Sequence, residues 1–207
     1  MTLSETFVAL LKNYTKDEQL IASLWREIVA YYGAPQRNYH TLDHLENLLV
    51  QLNAIKEEIK NWNAILFTLY YHDIIYDVSK QNNEDESAHL AAKRMKEIAV
   101  SEDIVSICIE QIVATKLHLT STDQDTNYFT DADLSILGQP WETYRDYYKN
   151  IRLEFQIYPD LHYNSGRKKA LNHFLSMGRI FKTDYFYNRF EAQARINLKK
   201  EIELLHV

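Results

Sequence analysis

His72 and Asp73 stand side by side in a run that is otherwise almost wholly apolar from Ile65 to Tyr76. A carboxylate buried without a partner costs several kcal/mol, so a chain that carries this pair into a core must also bring it hydrogen-bond donors or a cation. A bound metal ion would satisfy both residues at once. Only 4 Gly and 3 Pro occur in 207 residues, and these are the strongest interrupters of helices, so the surroundings of the pair are expected to be long helices. No Gly-, Ser- or Pro-rich stretch marks a linker, and the expectation is one all-α domain, a helical bundle over residues 1–207.

Apolar residues at helical spacing predict helices over 4–11 and 16–32, the second stopping at Gly33. Thr41 is a candidate N-cap for a helix carrying Leu45, Leu48, Leu49 and Leu52 to about Ile59, with His44 in its first turn. Asn61 or Asn63 starts a core helix that reads through His72-Asp73 to about Tyr76. Further helices are expected from Asn82 or Asn83 to Ala99 and from Ser101 to Lys116. Residues 119–130 are polar without an apolar period and predict a loop over or beside the site. A short helical piece at 131–137 is followed by helices over 140–155, 163–180 and 184–205.

The net charge of −6 argues against binding a nucleic-acid polymer, which needs clustered Lys and Arg. A small phosphorylated substrate is compatible with it. Cys108 is the one cysteine and sits in an apolar run, so it reads as a buried core thiol. The start of the chain has no basic segment followed by an apolar stretch, and no apolar run approaches the roughly 20 residues of a bilayer span. A soluble cytoplasmic protein is expected. Its oligomeric state is open, a homodimer included.

The order HxxxH at His40 to His44, then His72-Asp73, then the distant Asp133, resembles the HD superfamily of metal-dependent phosphohydrolases. Tyr39 to His44 is similar to the YHxxxH signature of the cyclic-nucleotide phosphodiesterases in that superfamily, and ADLS at Ala132 to Ser135 is similar to theirs. The chain looks closer still to a bacterial group of predicted HD phosphohydrolases. The segments that carry this likeness are RNYHTLDH at 37–44, YHDIIYD at 71–77, NNEDESA at 82–88, ATKLH at 114–118, DADLSILG at 131–138 and EAQARINL at 191–198.

The resemblance implies an HD-type bundle with His44, His72, Asp73 and Asp133 as ligands of one divalent ion, and Asp73 able to bridge to a second. Mn, Ni, Co, Fe, Zn and Mg all suit such a set in some measure. It further implies hydrolysis of a nucleotide or other small phosphate ester by a metal-activated water, with His40 as general acid one turn before His44. Ile136 stands where the phosphodiesterases carry Asn, so a cyclic nucleotide is not specified. Two other functions use the same residue types: a nucleotide sensor without turnover, and a di-iron HD-fold oxygenase.

Each candidate also has a plainer reading. His72-Asp73 could be a buried hydrogen-bonded pair, His44 a partner of Asp43, and His40 an exposed loop histidine. Asp131 could be the ligand in place of Asp133. His118 and His89 could serve a second metal, or complement a helix end and pair with Asp85 respectively. Glu84 could reach metal-bound water or lie in a solvated first turn. Arg37, Lys116 and Arg167 are candidate phosphate contacts, against ordinary surface charge.

Overall fold

The structure is a computed structural model that describes residues 1–205. Those residues contain ten α-helices, two short 3-10 turns and no strand. They divide into two compact units, Met1–Thr130 and the part that begins at Asp131, and the boundary falls inside one helix.

In the first unit, α1 (Leu3–Leu11) opens on a reciprocal capping box between Thr2 and Glu5, and α2 (Glu18–Tyr32) on Asp17, whose carboxylate accepts from the amides of Gln19 and Leu20. Gly33 is the C-cap of α2, and a Cβ there would meet the Val29 carbonyl oxygen at 2.8 Å, so a larger residue does not fit. After a loop, α3 (Leu42–Asn53) buries Leu45, Leu48, Leu49 and Leu52 along one face. It stops at Asn53, and a 3-10 turn at Lys56–Glu58 takes up the rest of the expected helix.

The core helix α4 (Trp62–Tyr71) is capped by Asn61, and every residue from Ala64 to Tyr71 is buried. It ends at Tyr71 and does not run on to Tyr76. The segment that follows is held by side chains from α5 (Asn83–Glu97). Asn83 exchanges two hydrogen bonds with the backbone of Asp77, and the Ser87 hydroxyl bonds the backbone of Ile75. Next come α6 (Glu102–Ala114) and α7 (Gln124–Asp133).

The expected loop over 119–130 is thus helical from Gln124, and Asp125, Thr126, Asn127 and Thr130 face inward. Asp125 is buried and accepts from the amides of Lys60 and Asn61, which fixes the start of α4. Thr126 bonds Asp123 and Asn127 bonds Ser121, so the polar residues that suggested a solvated loop are bonded within the protein.

The second unit begins within α7 and continues through a 3-10 turn (Leu134–Gly138), α8 (Trp141–Glu154), α9 (Asp160–Ser176) and α10 (Asp184–Leu204). Gly138 lets the turn pack on α10, since a Cβ there would come within 2.6 Å of the Phe190 carbonyl oxygen. Asn197 anchors the same turn by donating to the carbonyls of Leu137 and Gln139, each at 2.8 Å. The expected helix over 163–180 starts earlier and stops earlier, because Pro159 and Asp160 form its first turn and Met177 is extended. Among the described residues no helix is long and apolar enough to cross a membrane.

Candidate metal centre

Three imidazoles and one carboxylate gather in the first unit. His44 lies in the first turn of α3, His72 follows the last residue of α4, and Asp73 follows His72. His44 Nε2 and His72 Nε2 are 3.1 Å apart. Asp73 Oδ2 lies 3.1 Å from His72 Nε2 and 3.8 Å from His44 Nε2. His40 Nε2 is 3.8 Å from the same carboxylate oxygen. The two helix histidines are buried, while Asp73 and His40 keep about a fifth or less of their side-chain surface open, so one side of the group reaches solvent.

The other ring nitrogen of His72 decides what this group can hold. His72 Nδ1 is 3.1 Å from the Leu69 carbonyl, an oxygen that can only accept. We assign the proton to Nδ1 on that ground, which leaves the Nε2 lone pair pointing at the Asp73 carboxylate and at His44 Nε2. Two lone-pair donors 3.1 Å apart repel unless a proton or a cation sits between them. Imidazole nitrogen and carboxylate oxygen together are a donor set for divalent transition metals, and a backbone carbonyl on the remote nitrogen is the usual device that orients a ligating histidine. The residues therefore fit a metal ion.

Helix termination shapes the site. Because α4 stops at Tyr71, Asp73 lies in a turn, where its carboxylate reaches back to His72. Arg37 secures that turn. Its guanidinium, buried to 7% exposure, donates from Nη1 to the carbonyls of His40 (3.1 Å) and Asp73 (2.7 Å) and from Nη2 to that of Ile74 (2.8 Å). Arg37 is thus turned inward onto carbonyls rather than outward to a phosphate. Around His40 stand Tyr76, with ring centroids 4.1 Å apart, and Tyr39, edge-on at 5.0 Å. The aromatic character of both was visible in the sequence, but their meeting at His40 depends on two separate loops.

The alternative aspartate has other work. Asp131, in the second unit, is wholly buried and accepts from the Lys182 and Thr183 amides, the Thr183 hydroxyl and the Lys182 ammonium, all between 2.7 and 2.9 Å. Burial pulls the Lys182 ammonium below its usual range, and the Asp131 charge opposes that pull. Asp133, two residues on, is half-buried at the end of α7. Phe129, one helical turn before Asp133, packs its ring 5.4 Å from that of His72.

The remaining candidates are scattered. Arg167 donates from Nε and Nη2 to Glu201 in a buried ion pair of the second unit, not an open phosphate contact. Lys116 pairs with Asp85 and Glu84 and donates to the Gln81 carbonyl. His118 has φ of 52°, a left-handed conformation uncommon for histidine, and His89 is exposed on α5. Neither histidine, nor Glu84, joins a group of three ligand-type side chains among the described residues. Elsewhere in the first unit, burial raises the Tyr71 phenol far above its ordinary range and pushes the Cys108 thiol up to about 12, so both are neutral at physiological pH.

No protein-family model matches the chain, and no curated protein or solved structure matches it either.

Proposed function

We propose that the protein is a metal-dependent phosphohydrolase of the HD type, acting on a nucleotide or another small phosphate ester. The observation that carries this reading is the convergence of His44 Nε2, His72 Nε2 and Asp73 Oδ2 with the far nitrogen of His72 committed to a carbonyl. His44, His72, Asp73 and Asp133 are the proposed ligands. Asp133 is preferred to Asp131 because the Asp131 carboxylate already accepts from Lys182 and Thr183.

A divalent ion on these ligands supplies Lewis acidity, which lowers the pKa of water and offsets negative charge on the phosphoryl oxygens. The chain's own part is to orient the donors and to manage a proton. Burial of His44 and His72 keeps their lone pairs from solvent, and the Leu69 carbonyl holds the His72 proton on Nδ1. His40 keeps its Nε2 on the open side of the group and is the proposed donor of the proton to the departing ester oxygen.

The test is phosphate release from a panel of nucleotides and sugar phosphates with added Mn²⁺, Co²⁺, Ni²⁺ or Mg²⁺. Metal-dependent release by the wild-type protein, lost in a folded Asp73→Ala variant, is the expected result. Metal binding with no release from any ester would move the assignment to a sensor.

A further inference from the structure

Arg37 holds two residues of the proposed chemistry through their main chain. Its Nη1 bonds the carbonyls of His40 and Asp73, which belong to different segments, and its Nη2 extends the grip to Ile74. A buried guanidinium spent on neutral carbonyls is an expensive way to close a loop. The same cation lies 4.8 Å from the Tyr32 ring centroid and 5.5 Å from that of Tyr76. Tyr76 in turn lies against the His40 imidazole at 4.1 Å with 34° between the ring planes. One charged group thus fixes the backbone of His40, the backbone of Asp73 and, through Tyr76, a wall of the His40 ring. Arg37 Nε is buried without a hydrogen-bond partner, consistent with a geometry chosen for the carbonyls and the rings.

We infer that Arg37 and Tyr76 are positioning residues that set the His40 imidazole against the Asp73 carboxylate. The inference rests on the phosphohydrolase reading, in which His40 protonates the leaving oxygen. A displacement of about 1 Å in a reacting group can cost on the order of a hundredfold in rate. Lysine cannot replace the arginine, because its three hydrogens radiate from one nitrogen and cannot meet three carbonyls in the plane of a fork.

Two readouts test this in the full chain. The first is the NMR shift of the His40 ring protons, assigned by their absence in His40→Gln. The Tyr76 ring current should move these protons upfield in the wild type and in Tyr76→Phe, and the displacement should vanish in Tyr76→Leu and shrink in Arg37→Lys. The second compares an alkyl phosphate, whose poor leaving group needs a proton, with p-nitrophenyl phosphate, whose leaving group does not. Arg37→Lys and Tyr76→Leu should lower kcat on the alkyl ester about tenfold or more, with KM within about threefold and the loss on the p-nitrophenyl ester under about threefold. Tyr76→Phe should restore the alkyl reaction.

Equal losses on both esters, or unmoved His40 shifts in Tyr76→Leu, would overturn the positioning role while leaving the hydrolase intact. A wild-type protein silent on every ester would overturn the hydrolase reading itself, and the inference with it. Should Arg37→Lys fail to fold, Tyr76→Leu carries both measurements alone.

Discussion

Two aspartates separated by one residue should respond to substitution in opposite ways. Replacing Asp131 by Asn keeps the shape of the side chain but removes the charge that faces the Lys182 ammonium, whose side chain is 3% exposed. It also turns one acceptor oxygen into a donor opposite donors, since the Asp131 oxygens now accept from two amides, a hydroxyl and the ammonium. Breaking one side of a buried ion pair typically costs about 3–5 kcal/mol. At about 2–4 °C per kcal/mol for a chain of this size, Tm should fall by roughly 6–20 °C. Asp133 is half-buried, whereas Asp131 is wholly buried against the Lys182 ammonium, so in metal-free protein Asp133→Asn should cost less stability than Asp131→Asn. Its effect should fall on metal affinity. Urea denaturation of apo protein, paired with Mn²⁺ titration calorimetry, separates the two. Apo Asp131→Asn as stable as wild type, or apo Asp133→Asn the less stable of the two, would show that Asp131 is not the structural member of the pair.

Arg167→Met should destabilise the protein by about 3–5 kcal/mol, because it removes the guanidinium paired with Glu201, 1% exposed, while the Tyr144 hydroxyl still donates to that carboxylate. Denaturant titration checks the loss; a selective rise in KM for a phosphate ester without any change in stability would return Arg167 to the role of a substrate contact. Cys108 sets a pH dependence. Its thiol is held at about 12 in the folded chain against 9.0 when unperturbed, so the unfolded state loses its proton first. Stability should therefore be level below pH 9 and fall as pH rises from 9 toward 12, by about 1.4 kcal/mol at pH 10 from this group. Urea midpoints at pH 8 and pH 10, compared with Cys108→Ala, should show that part of the slope vanish in the variant.

The sequence carries more of the donor set than of the structure around it. Apolar stripes such as Leu45, Leu48, Leu49 and Leu52 lie on the buried face their spacing predicts, because burial of one helix face is a local pattern. The end of α4 was not legible, since Ile74, Ile75 and Tyr76 continue the apolar run with neither Gly nor Pro to stop it. What occupies those backbone groups is distant in sequence: Arg37 takes the carbonyls of Asp73 and Ile74, while Ser87 and Asn83 take Ile75 and Asp77. The helical nature of 124–130 was hidden for a related reason, as Asp125, Thr126, Asn127 and Thr130 are all buried and bonded. Polar composition signals a loop only when water is the partner. Likewise, the assignment of Asp131 to Lys182 and Thr183 spans 51 and 52 positions and has no local signature.

His44, His72, Asp73 and Asp133 are proposed to hold a divalent ion on which phosphate-ester hydrolysis depends. Metal content and phosphate release, measured together on wild type and on Asp73→Ala confirmed as folded by circular dichroism, test this proposal most directly. About one or two equivalents of metal with turnover are expected in the wild type, with loss of both metal and turnover in the variant. Unchanged metal content and turnover in Asp73→Ala, or no metal in wild type after incubation with any of the candidate ions, would contradict it.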